Sequence, residues 1–160
     1  MRRVLLCASL FLAVHATTTQ AQSAAVARRT YWGQVNLGVG GVADSAFYAT
    51  GFSGGIQTGR TVFIGRVVAL STKAKTRITE VGLMTGVATR PSGIHASIAA
   101  GLGIVDASSD SSSLGFPVEA QITVRPLRWI GVGVHVFGNL NKTGKLYGVT
   151  IPVQIGRLRL

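Results

Sequence analysis

Glu119 and His135 place a carboxylate and an imidazole on matching sides of two consecutive alternating segments, with Gln121, Arg125 and Thr150 nearby. Arg66 and Glu80 make a second pair, nearly equidistant from the turn at Lys73 and so expected to be cross-strand neighbours. An imidazole steadied by an acid is the base half of a nucleophilic relay. The same groups, withdrawn from water without a nucleophile, are a filling. Buried charges must be paired and hydrogen-bonded, or each costs on the order of several kcal/mol. Three uses stay open: a polar plug, a catalytic site, and a small gated pore or ligand cleft. The pattern favours the plug, a polar network of Arg66, Glu80, Glu119, Gln121, Arg125 and His135, with no catalytic residue assigned.

Other chemistry is sparse. His15, His95 and His135 show no metal-ligand spacing, so no metal is expected. Gly138 to Lys145 imitates a phosphate loop but has one residue too many between its glycines. Leu146 also stands where a Ser or Thr is needed, and a strand follows instead of a helix, so no cofactor is expected. Asn141-Lys142-Thr143 matches a glycosylation sequon, which carries meaning only in a eukaryotic secretory pathway.

The elements that must position these groups are strands. Leu114, Phe116, Val118, Ala120, Ile122 and Val124 alternate with Gly115, Pro117, Glu119, Gln121, Thr123 and Arg125. After a turn at Pro126-Leu127-Arg128, Ile130, Val132, Val134 and Val136 alternate with Trp129, Gly131, Gly133, His135 and Phe137. A period of two marks a strand. One face is aliphatic and the other mixes glycine, amide, charge and imidazole, as in a barrel with an apolar outside and a narrow polar inside.

Six further segments repeat the pattern: Tyr31–Gly40, Phe47–Gln57, Thr61–Leu70, Arg77–Ala88, Ile94–Ile104 and Lys145–Leu158. With the hairpin they make eight strands, an all-β, closed, antiparallel, up-and-down transmembrane barrel. In the first, Tyr31, Val35, Leu37 and Val39 are expected outward and Trp32, Gln34 and Asn36 inward. Compact links at 57–60, 89–93 and 126–128 alternate with longer polar ones at 105–113 and 139–144, which orients the barrel with its termini on the short-turn side.

Register can be tested by pairing. Facing Arg125 with Trp129 sets Glu119 against His135, Val118 against Val136 and Ile122 against Val132. In the last strand, Val136, Val134, Val132 and Ile130 then meet Val149, Ile151, Val153 and Ile155. Inside, Phe137 opposes Gly148 and Trp129 opposes Gly156. A slip of one residue would destroy both patterns. Pro117 and Pro152 interrupt this scheme, so a bulge or strand end is expected at each. Tyr31, Phe47, Phe63, Phe116 and Tyr147 are candidates for aromatic girdles.

The first residues read as an export signal: Arg2 and Arg3, an apolar core from Val4 to Val14, and small-residue cleavage sites after Ala16 or Ala21. The expected organisation is a cleaved signal at 1–21, a short leader at 22–29 and a barrel at 30–160. Cys7, the single cysteine, would leave with the signal. Fourteen Lys and Arg would then stand against five acids, a net charge of +9. They gather at strand ends and not in one aromatic-interleaved patch, which suits anionic lipid headgroups better than nucleic acid. Lys73, Lys75, Lys142 and Lys145 fall in or beside the links on the far side, where they could meet lipopolysaccharide phosphates or serve as ordinary solvated charge.

Signal, eight alternating strands, turn parity and a cysteine-free mature chain together resemble the small outer-membrane β-barrel proteins of the OmpA/OmpX-like group, over residues 30–160. The resemblance implies a Gram-negative outer-membrane location, a monomer, and insertion by the outer-membrane assembly machinery. That machinery reads a last strand ending in an aromatic residue, and this chain ends Gly156-Arg-Leu-Arg-Leu160. Some such barrels modify lipid A through a histidine with a serine two residues later, where this chain has Phe137. A structural or surface-interaction role is therefore expected. The alternatives are a soluble lipocalin-like barrel, which would need its aliphatic face inside, and a lipid A-modifying enzyme.

Overall fold

The computed structural model describes residues 29–42, 45–71, 77–107, 111–142 and 144–158. The expected signal and the leader up to residue 28 lie outside them, as do Lys73 and Lys75; Arg29 already belongs to the first strand. Eight strands follow in order: β1 Arg29–Val42, β2 Ser45–Thr58, β3 Thr61–Ser71, β4 Arg77–Ala88, β5 Ile94–Ala107, β6 Ser111–Val124, β7 Ile130–Asn141 and β8 Gly144–Arg157. Each pairs antiparallel with the next, and β8 pairs with β1 to close the barrel. Closure leaves no edge of unpaired backbone groups.

The alternation dictates which face is which. Tyr31, Val35, Leu37, Ile98, Leu102, Val132, Val134, Ile151 and Ile155 all point outward and are exposed, together with large apolar residues from every other strand. Trp32, Gln34, Asn36, Arg66, Glu80, Glu119 and His135 point inward and are buried. The lipocalin-like alternative required the reverse and is discarded.

Inside, large residues face small ones. Trp32 is paired with Gly55 on one side and Gly156 on the other, and Phe137 is paired with Gly148. A Cβ on Gly148 would lie 2.5 Å from the Phe137 ring. Trp129 does not occupy the lumen as expected; its side chain is 55% exposed, and only its carbonyl engages Gly156, accepting that residue's N–H at 3.1 Å. The reason lies in the link. Pro126 cannot continue a ladder, β6 ends at Val124, and the chain runs to Arg128 and Trp129 outside the barrel before β7 begins. Phe47, expected in an outer girdle, points inward into a cluster with Leu70, Phe137 and Leu146.

The β7–β8 register is as expected, with Ile130 on Ile155, Val132 on Val153 and Val136 on Val149. That of β6–β7 is displaced by two residues: Glu119 pairs with Phe137, Gln121 with His135 and Ile122 with Val134. Neither proline makes a bulge or a strand end. In an antiparallel ladder a residue's N–H and C=O point to the same neighbour, so one missing N–H interrupts one side only. Pro117 stays paired with Asn139 on β7, while the β5 ladder skips from Ala100–Val118 to Gly103–Gly115 in unchanged register. Pro152 likewise keeps Asn36 on β1 and loses the β7 side.

Link lengths also differ from expectation. The polar stretches at 105–113 and 139–144 are largely strand: Val105 pairs with Ser113, Asp106 with Ser112, and Asn141 with Gly144. Serine and asparagine continue the ladder past the apolar belt because a barrel strand needs only its neighbours' backbone, not an apolar surface. The two ends are called here the near end, which holds Arg29 and Leu158, and the far end.

Candidate functional site

The lumen holds both described histidines, two of the three described acids and two arginines, in two storeys. The upper one begins with Arg66 on β3. Its Nε and Nη2 donate to Glu80 Oε1 on β4 at 3.2 and 2.5 Å, and its Nη1 donates to Glu119 Oε2 on β6 at 3.0 Å. The same carboxylate oxygen lies 3.3 Å from His135 Nε2 on β7, and His135 Nδ1 lies 2.9 Å from Thr150 Oγ1 on β8. The Nε2–H tautomer satisfies both contacts, donating to Glu119 and accepting the threonine hydroxyl. Phe137 stacks on His135 with ring centroids 5.6 Å apart, and the Arg66 guanidinium lies 5.4 Å from the Phe137 centroid. Direct cross-strand pairing joins His135 to Thr150 but does not bring in the two carboxylates. Glu80 is the pair of Val68 and Glu119 that of Phe137, so both reach their partners diagonally, as long side chains on one sheet face can.

The lower storey is built of amides. Gln154 Nε2 donates to Gln34 Oε1 at 2.8 Å, Gln34 to Asn36 Oδ1 at 3.1 Å, and Asn36 to Ser53 Oγ at 3.3 Å. Arg125 closes it from the β6 end, donating to Leu158 O at 2.7 Å and to Gln154 Oε1 at 3.5 Å, with its guanidinium 5.7 Å from the Trp32 ring. His95 meets Trp32 edge-on at 5.4 Å. Gln57 ties the near-end turns together, donating to Gly59 O and Thr89 O at 2.8 and 2.7 Å.

Of the expected network, the structure thus brings Arg66, Glu80, Glu119 and His135 together and sets Arg125 apart with the amides. Gln121 is buried, but neither amide atom has a partner among the described residues. The filling is also less polar than expected. Apolar clusters occupy both ends, Trp32, Val62, Ile64, Met84 and Leu158 at one and Phe47, Val68, Leu70, Phe137 and Leu146 at the other. Gln154, Thr123 and Ser53 were not singled out in the sequence, although their inward parity is readable there. Lys142 and Lys145 are exposed at the far end. Among the described residues no three His, Cys, Asp or Glu gather closely enough to hold a metal ion.

Chemically, Thr150, His135 and Glu119 are ordered as hydroxyl, imidazole and carboxylate, the sequence of a nucleophilic relay. Access decides against that use: Thr150 is 2% exposed and His135 0%, within a lumen plugged on both sides by apolar residues. Arg66 moreover holds the carboxylate that would support the base. What the arrangement can do is bind β3, β4, β6, β7 and β8 to one another across the barrel.

No family model matches the sequence, and no curated protein matches it in sequence. Solved structures do match in fold. Neisserial surface protein A superposes with a TM-score of 0.61 at 9% identity, over 79% of this chain and 96% of that one. Ail, the attachment invasion locus protein of Yersinia pestis, gives 0.57 at 8% identity, over 80% and 97%; its complex with the heparin analogue sucrose octasulfate gives 0.51 at 9%. The chain therefore has the eight-stranded barrel fold of these proteins.

Proposed function

We propose that the chain is an integral outer-membrane barrel with a side-chain-filled lumen, acting structurally or through surface contacts at its far end, and not as an enzyme. One observation carries this reading: an exposed belt of large aliphatic residues encircles all eight strands, while Arg66, Glu80, Glu119 and His135 are sealed inside. In water that arrangement is inverted, since a contiguous apolar patch beyond a few hundred Å² marks an interaction surface. In hydrocarbon it is the required one, because every backbone polar group is satisfied within the closed ladder. Tyr31, Phe63 and Trp129 toward the near end, and Tyr48, Phe116 and Tyr147 toward the far end, are exposed and suit the two interfacial zones.

In this reading the near end faces the periplasm, and polar strand ends with Asp106, Ser112, Asn141, Lys142 and Lys145 project outside. Lys142 and Lys145, with Lys73 and Lys75, would meet lipopolysaccharide phosphates. The outer-membrane assembly machinery would insert the chain as a monomer after export. The similarity to Ail, an attachment invasion protein crystallised with a sulfated sugar, supports a surface-contact role at that end. Membrane fractionation tests the core of the proposal: recovery in the soluble fraction without detergent would sink it. Cysteine labelling sharpens it, since V134C should react only with lipid-soluble reagents and H135C with none.

A further inference from the structure

The outer wall is not uniform. An open groove of about 660 Å³ crosses β4 to β7, beginning beside Arg60 and Thr89 at the near end and rising toward Val136. Its shape follows from the pairing. Two neighbouring outward rows run Ile98–Ala120–Val136 and Ala96–Ile122–Val134, so small and large residues alternate and the two alanines fall diagonally together. Where Ala96 and Ala120 stand, the wall sinks; Ile98, Ile122 and Val87 form its rims.

One end differs in charge. Arg60 lies in the β2–β3 turn, exposed, and the turn is fixed against β4 by the Ala88 N–H donating to Arg60 O at 2.8 Å. Among the described residues no carboxylate forms an ion pair with it. An apolar trough with an unengaged guanidinium at its mouth, at the level where Arg29, Arg90, Arg128 and Arg157 are also exposed, matches a molecule with one anionic end and a long apolar body.

We infer that this groove binds a phospholipid of the near-end leaflet, with its phosphodiester on Arg60 and an acyl chain lying along Ala96 and Ala120. The volume falls in the range of about 300–1,000 Å³ typical of small-molecule sites. Lipid chains supply the same contacts all around a barrel, so selection here comes from the depression, which admits a chain more deeply, and from the arginine that anchors its head.

The inference rests on the membrane reading, and the experiment separates the two. The full chain is inserted in phosphatidylglycerol vesicles, floated, then transferred to detergent for native mass spectrometry with phosphatidylglycerol or with a diacylglycerol of the same chains. Wild type should retain phosphatidylglycerol and release the diacylglycerol. R60Q should lower retention about fivefold, the size of one cation's attraction to an anionic lipid surface. A120F, which fills the depression, should lower it at least as much, and R157Q should leave it unchanged. Failure to float overturns the membrane reading itself. Floating with equal retention in wild type, R60Q and A120F overturns the groove alone. A wild-type dimer abolished by A120F would assign the groove to a second copy of the chain, and would overturn the lipid.

Discussion

The two storeys of the lumen use the same residue in unlike company. Each has one buried arginine beside one aromatic ring, Arg66 by Phe137 and Arg125 by Trp32, at nearly equal separations of 5.4 and 5.7 Å. Arg66 is held by two carboxylates, whereas Arg125 hydrogen-bonds to a backbone carbonyl and an amide oxygen. The contrast shows that burial alone does not set what a charge is worth. Charges that answer each other are mutually dependent, and removing one strands the rest. The bonds of Arg125 to Leu158 O and Gln154 Oε1 leave neutral acceptors behind when they are broken.

The largest effect should therefore come from Arg66→Ala, which leaves Glu80 and Glu119 buried without their cation. Breaking such a set costs about 3–5 kcal/mol, read as a lower urea midpoint for unfolding from micelles. Replacing the whole set, with Arg66→Met, Glu80→Gln and Glu119→Gln together, should recover most of the loss, because an apolar or neutral substitute avoids the desolvation cost. If the triple variant is no more stable than Arg66→Ala, the upper storey is not an ion-pair set of this kind.

That storey also shows how far the sequence can be read. Which residues face inward was legible, because parity survives any even shift: Arg66, Glu80, Glu119 and His135 are all inside as the alternation requires. Register was less so. Moving β7 by two residues against β6 exchanges Val118–Val136 for Ala120–Val136 and Ile122–Val132 for Ile122–Val134, and no outward pair gains a polar side chain. The pattern excludes a one-residue slip and is blind to two. The correct register depends on how Pro126 ends β6, and so does the wrong placing of Trp129. Trp32 was the lumen tryptophan, legible in its own strand, but its glycine partners Gly55 and Gly156 lie on strands β2 and β8, at separations no local pattern reaches.

In the lower storey Arg125→Met should cost less, about 1.5–3 kcal/mol for hydrogen bonds made by a charged group. Its aliphatic stem would still cover Trp32. A loss as large as that of Arg66→Ala would erase the distinction between the storeys. A smaller step still is Thr150→Val, which keeps the shape of the side chain and removes one hydroxyl from His135 Nδ1. About 0.5–1.5 kcal/mol is expected, with the Arg66–Glu119 bridge untouched; the urea midpoint in micelles again reads it.

His95 should give the smallest loss of stability, and the sign of its change is informative. The ring is buried against Trp32, yet neither nitrogen has a protein hydrogen-bond partner among the described residues. Burying a polar atom without a partner costs about 1–3 kcal/mol, so His95→Phe keeps the edge-on contact and removes two such atoms. The variant should unfold at an equal or higher urea concentration, where His135→Phe, which breaks bonds to Glu119 and Thr150, should unfold at a lower one. Two histidines on the same inner face would then answer the same substitution with opposite signs. Equal destabilisation of both would mean that His95 is held by partners of its own, and that the lower storey is as tightly bonded as the upper.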